Sequence, residues 1–190
     1  MEYGKFIVSG EDKKSLSTVK SALAANGHVF LGYVKEPMNV LRVIRSADPN
    51  LVVIDMSGPF KEYKQLLDVI EEDMLCACIL IIENINEEIY SFLNSSRVVT
   101  YMRKPIFDEI ITQVTDFSLM NYRRVIDYET RVRKLNETLE SRKIIEKAKW
   151  ILVEKEGLSE ADAYESIKRR SRDNRVPMRD IAEALILTRG

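Results

Sequence analysis

Apolar positions in the first hundred residues come in short unbroken runs separated by stretches of helical period. KFIVSG (residues 5–10), HVFLGYV (28–34), LVVID (51–55), CACILII (76–82) and VVTYM (98–102) read as five strands. Between them Leu16, Val19 and Leu23, then Val40, Leu41 and Ile44, recur at spacings of three and four. These mark helices over 15–25 and 37–47, with further helices over 60–72 and 86–94 and one that begins near 107. Asn26-Gly27 and Asp48-Pro49-Asn50 supply turns. Strands that are apolar throughout are expected to be buried on both faces, and strand–helix alternation places a crossover helix on one face or the other. The expected fold class is α/β, a flavodoxin-like five-stranded parallel sheet of order 2-1-3-4-5. Its functional edge is the carboxyl end of the strands.

The pattern then changes. From Phe107 to Gly157 there is neither Gly nor Pro. Val125, Tyr128, Val132, Leu135 and Leu139 alternate at three and four, an a/d heptad seam flanked by Arg131, Arg133, Lys134 and Glu137. Such a helix either packs on its own chain or pairs with a second copy as a parallel dimer coil; the dimer is the expectation. A three-helix all-α domain follows. Ile144, Ile145, Ala148, Ile151 and Leu152 line the first helix, and Gly157 ends it. Ser159 with Asp162 three residues on is a variant capping box that starts the second, with Ala163, Ile167 and Ser171 on one face. Val176-Pro177 turns the chain into a third helix marked by Ile181, Ala182, Ala184 and Leu185. The expected domains are residues 1–120, a connector helix over 121–140, and residues 141–190.

The 190 residues carry a net charge of −1, which excludes a whole-chain polycation. The charge is uneven. Residues 1–120 hold 12 Lys+Arg against 17 Asp+Glu, and residues 141–190 hold 12 against 9. A basic tail on an acidic body fits a nucleic-acid-binding output module and equally an ordinary solvated helical surface. Cys76 and Cys78 share a strand face and are too close for a disulfide. With His28 the single histidine, no metal site is expected. No apolar run spans a membrane and no signal peptide opens the chain, so a cytoplasmic location without membrane contact is expected. No nucleophile–base set, Gly-rich phosphate loop or metal cluster points to an enzyme.

The ends of the expected strands carry a pattern. Asp55 closes the third strand with Pro59 four residues on, and Lys104-Pro105 follows the fifth with Tyr101 three before the lysine. This resembles the receiver domain of two-component response regulators over about residues 5–116. The resemblance implies that Asp55 is the phosphoacceptor, that Lys104 neutralises the phosphoryl group and that Tyr101 is the switch aromatic. It also implies an acidic Mg²⁺-binding pair where this chain has Ser9 and Gly10, and a Ser or Thr where it has Glu83. Glu11 and Asp12 are the carboxylates left nearby. A hard cation needs carboxylate oxygens, and Glu83 would repel a phosphoryl group. The expectation is a degenerate receiver without Mg²⁺ or any other cofactor, in which Asp55 is not phosphorylated and Glu83 pairs with Lys104.

The C-terminal pattern resembles the ANTAR domain of transcription antitermination regulators. It is carried by Arg142-Lys143, Ile145, Ala148-Lys149, Leu152, Gly157-Leu158-Ser159, Ala163-Tyr164, Ile167-Lys168 and Met178 to Glu183. Trp150 and Val153 depart from the family's usual residues. Trp150 is expected to pack in the bundle, the alternative being an exposed surface on which a base stacks. The resemblance implies RNA as partner, as paired hairpins of a leader transcript bound by a homodimer. Arg142, Lys149, Lys168, Arg169, Arg172, Arg175 and Arg179 are the candidate RNA contacts. A sensor kinase or ligand-sensing protein is the expected upstream partner. The alternatives are a DNA-binding response regulator and a protein-interaction module. The apolar last helix argues against a DNA-recognition helix.

Overall fold

The computed structural model describes residues 3–189, so the outer limits of the expected domains, residues 1 and 190, lie outside it. The elements run β1 (Lys5–Ser9), α1 (Lys13–Ala25), β2 (Val29–Val34), α2 (Pro37–Ala47), β3 (Leu51–Asp55), α3 (Phe60–Glu72), β4 (Ala77–Ile82), α4 (Glu87–Ser95), β5 (Val99–Arg103), α5 (Asp108–Glu156), α6 (Glu160–Asn174) and α7 (Met178–Arg189). The five strands pair in parallel in the order β2-β1-β3-β4-β5, as the alternating pattern predicts.

Period-2 alternation divides the strand residues between two cores. Val52, Ile54, Cys78, Leu80 and Ile82 face Val40 and Ile44 of α2 and Leu67 and Ile70 of α3. Phe6, Val8, Val53, Ile79 and Ile81 face Leu16, Val19 and Leu23 of α1 and Ile111 and Leu119 of α5. Cys76 and Cys78 lie together in the first core as free thiols, and burial pushes the Cys76 thiol up to about 12. β2 departs from the two-sided burial expected for every strand. It is an edge strand whose pairing with β1 shifts register between Phe30 and Gly32, and Val29, Leu31 and Tyr33 are exposed by 52%, 38% and 45%. α1 begins two residues earlier than expected. Asp12 is its N-cap and accepts from the backbone N–H groups of Lys14 and Ser15.

α5 runs unbroken for 49 residues, as the absence of Gly and Pro permits. The chain divides into two compact units between Asp127 and Tyr128, inside this helix. In the first unit Tyr122 donates its hydroxyl to the Met74 carbonyl at 2.9 Å, and Val125 packs against the α2–α3 side of the core. Val125, expected as the first seam residue, is thus already partly used by its own sheet domain. Tyr128, Val132, Leu135 and Leu139 are all exposed.

The second unit is a three-helix bundle of the end of α5 with α6 and α7. Its centre is Ala148, Leu152, Ala163, Ile167, Ala182 and Leu185. Each helix contributes one alanine and one large aliphatic residue, so the backbones approach closely at the alanines and interlock at the aliphatics. Gly157 follows α5 at φ +67, and its N–H bonds to the Val153 carbonyl. Ser159 caps α6, accepting from the Asp162 N–H at 3.2 Å while its hydroxyl donates to the Asp162 carboxylate at 2.6 Å. Arg175 closes α6 in the left-handed conformation, and the Ser171 hydroxyl donates to the Val176 carbonyl at 2.6 Å. Ser159→Ala removes both cap bonds and is expected to destabilise this unit by about 1 kcal/mol. Ser159→Asn restores most of that, with the order read from hydrogen-exchange protection of α6.

Candidate functional site

Parallel register carries three side chains to one edge of the sheet. Asp55 ends β3 opposite Ile81, Glu83 follows β4, and Lys104 follows β5, where its N–H bonds to the Ile82 carbonyl at 2.9 Å. Asp55 is fully buried. A buried carboxylate without a partner is strongly destabilising, and Lys104 supplies the partner, its Nζ 2.9 Å from Asp55 Oδ1. The Ser57 hydroxyl donates to Asp55 Oδ2 at 3.3 Å.

Lys104 has a second carboxylate, and it is Asp12 at 3.0 Å. Glu83, expected in that role, is exposed and takes no part in the ion pairs of Lys104 among the described residues. The physical reason is pre-ordering. Asp12 is already held at the start of α1 by two backbone N–H groups and by the Ser15 hydroxyl at 2.6 Å. Its pairing with Lys104 orders nothing new, whereas Glu83 would lose side-chain freedom to compete. Ser15 and then Lys104 hold the Asp12 carboxyl well below the usual carboxylate range. Burial draws the Lys104 ammonium down, and its interactions with the carboxylates of Asp55 and Asp12, which accept from it, more than offset this, leaving its pKa raised.

The residues present do not fit a divalent cation. The Asp12 carboxylate is spent on the helix cap and the lysine. Ser9 is buried with its Oγ unpartnered among the described residues. Gly10 has φ +139, and a Cβ there would stand 2.7 Å from the Asp55 carbonyl oxygen and 2.8 Å from Asp55 Cβ. No side chain, acidic or otherwise, has room at that position. No group of three or more His, Cys, Asp or Glu among the described residues is arranged to hold a metal. Tyr101 is exposed and lines a groove with Arg97, Gln113, Phe117 and Asn121.

The seven candidate cations of the C-terminal unit fall into two groups. Lys149, 12% exposed, is bound to Glu146 at 2.7 Å and Glu160 at 3.0 Å. Lys168 pairs with Glu165 and Arg179 with Glu183, each at 2.7 Å. Arg142, Arg169, Arg172 and Arg175 are exposed and form no ion pair among the described residues. Arg172 and Arg175 close α6 together, while Arg142 stands on α5. Trp150, expected in the bundle, is 51% exposed, because Ala148 and Leu152 take the inward positions on either side of it.

Residues 133–186 match the ANTAR domain. Over 168 residues the chain is 23% identical to the transcriptional regulatory protein PdtaR of Mycobacterium tuberculosis, a match spanning 88% of this chain and 82% of that protein. A CheY-like response regulator receiver domain protein from Methanospirillum hungatei superposes with a TM-score of 0.55 at 18% identity, covering 65% of this chain and 98% of that one. NtrX from Brucella abortus superposes at 0.57 and 18%, covering 68% of this chain and 29% of that one. The sheet domain has the receiver fold. The chain as a whole joins that fold to a segment that matches the ANTAR domain, the same order of parts that its similarity to PdtaR spans.

Two outcomes are expected. Incubation with acetyl phosphate and Mg²⁺ leaves the intact mass unchanged; a stoichiometric phosphoryl adduct that disappears in Asp55→Ala would show that the site is competent after all. Asp12→Asn keeps the cap and loses the ion pair. Because the Asp12 pKa is depressed in the folded chain, its contribution is present above the unfolded carboxylate value of about 3.9 and is lost as pH falls through the folded value. The stability gap between wild type and Asp12→Asn, measured by urea unfolding, therefore closes on acidification and is constant from mildly acid to neutral pH.

Proposed function

We propose that this chain is an RNA-binding transcription antitermination regulator. It acts as a homodimer through α5, and its C-terminal bundle binds hairpins of a nascent leader transcript. The observation that carries this is the ANTAR match over residues 133–186, on a bundle whose surface leaves Arg142, Arg169, Arg172 and Arg175 without ion-pair partners among the described residues. In this reading residues 1–120 are the input domain, 121–140 the connector and 141–190 the RNA-binding head. Unpaired arginines suit phosphate and splayed-out loop bases, since a guanidinium both hydrogen-bonds and stacks. Two heads on one coil make the second hairpin contact intramolecular, which raises affinity without a new contact. Input reaches the receiver fold through a protein partner, a sensor kinase or ligand-sensing protein. Phosphoryl transfer is not the route, because Lys104 is already neutralised by Asp12 and Asp55.

A DNA-binding reading is less favoured. α7 spends Ala182 and Leu185 on the bundle core and pairs Arg179 with Glu183, leaving little of a recognition face.

Gel shifts at stated salt with a two-hairpin RNA, its one-hairpin half and duplex DNA are expected to rank affinity in that order. Equal binding to DNA, or none to RNA, removes the reading. Arg172→Ala, and Arg175→Gly which suits the positive φ at that position, are each expected to weaken RNA binding. Each is also expected to lower the slope of log K against log salt by about 0.7 to 1. Lys149→Gln, whose charge is already matched by two glutamates, is expected to change the slope least.

A further inference from the structure

Trp150, an exposed aromatic of the bundle, bears on how two copies meet, an inference that rests on the dimer proposed above. Within the second unit Tyr128, Val132, Leu135 and Leu139 are exposed by 63%, 51%, 64% and 53%. They repeat at four, three and four residues along α5. Trp150 stands eleven residues after Leu139, about three full turns at 3.6 residues per turn, and so lies on the same side of the helix. It is about 200° around the helix from Ala148, pointing away from the bundle core. The stripe does not stop at the coil; it continues down the back of the ANTAR bundle.

The charges near Trp150 argue against a nucleic acid as its occupant. Its neighbours one turn away are Glu146, which Lys149 pairs, Lys147, Val153 and Glu154, a set with no excess of positive charge to hold phosphate. Of the polar residues that bridge the stripe between Leu139 and Trp150, Lys143 pairs with Glu140 and Glu146 with Lys149, each at 2.7 Å, so another surface can cover these without leaving an unmatched charge. Arg142, about 60° around the helix from Leu139, lies at the rim of the stripe, where its charge stays in solvent. The heptad flanks match a second copy. With Val125, Val132 and Leu139 at a, Arg124 falls at g and Glu129 at the following e, the positions that face each other across a parallel pair. The later g and e positions, Arg131 with Asn136 and Thr138 with Lys143, set no like charges together.

We propose that Trp150 is the C-terminal anchor of the dimer seam. In this arrangement two copies of the chain, side by side in parallel, cover Tyr128, Val132, Leu135, Leu139 and Trp150 of each other, and the contact holds the two RNA-binding heads back to back. Each head then presents α6 and its arginines away from the seam.

Trp150 is the single tryptophan, so the intrinsic emission of the full chain reports on this position alone. The test combines sedimentation velocity with emission and acrylamide quenching at the same concentrations, with Leu135→Asp as the monomeric reference. Leu135 is exposed, so its substitution leaves the fold intact, as far-UV circular dichroism will verify. The expected result is a dimer with blue-shifted emission and quenching at least about threefold weaker than in Leu135→Asp. Trp150→Ala is expected to raise the dimer dissociation constant by about tenfold or more, the usual size for a buried interface aromatic. A dimer whose tryptophan is quenched as readily as in the monomer overturns the proposal while the dimer reading stands. A chain that is monomeric at every concentration, or a Leu135→Asp variant that still dimerises, removes the seam itself. Protection of the tryptophan when one-hairpin RNA is added to the Leu135→Asp monomer assigns Trp150 to RNA and overturns the proposal as well.

Discussion

The C-terminal half of this chain depends on one unbroken ladder of backbone hydrogen bonds, from Asp108 to Glu156. Most of the stability of a helix in a protein comes from packing an apolar face rather than from propensity. α5 meets this demand differently along its course. Near its start Ile111 and Leu119 close one core of the sheet. Near its end Ala148 and Leu152 form a third of a bundle core. Between them residues 131–140 are exposed throughout, and the four apolar side chains from Tyr128 to Leu139 have no partner among the described residues. Propensity and local charge pairs hold this middle stretch in a single chain, so a second copy has most to contribute there.

The sheet domain keeps the outline of a phosphorylation site and balances its charges without phosphate. Asp55, Lys104 and Asp12 form a chain in which each ion has a neighbour of opposite sign. The third member is fixed by the start of α1, so the edge of the sheet and the first helix are tied together by electrostatics as well as by packing. The charges of the pocket are thus matched from within the domain.

Much of this is legible in the sequence. Unbroken apolar runs mark the five strands, and the lack of Gly and Pro marks the long helix. Gly157, Ser159 and Asp162 mark the junction that the cap hydrogen bonds explain. Strand alternation does not reveal which strand lies at an edge, because that depends on pairing order, so the exposure of β2 is not legible. The partner of Lys104 is hidden for a related reason. Glu83 stands out by its position after a strand, while Asp12 carries only an ordinary helix-start signal, an Asp three residues before Ser15. Trp150 misleads because an aromatic beside an apolar run looks inward until the helical angle from Ala148 is drawn.

Gly10 has an evolutionary consequence. The volume that a side chain would need is filled by the carbonyl oxygen and Cβ of Asp55. A single codon change at that position cannot place a carboxylate in the pocket; the loop after β1 would have to be rebuilt first. Point substitution along this lineage is therefore free to vary the surface of the domain but not to add an acidic side chain at this place in one step.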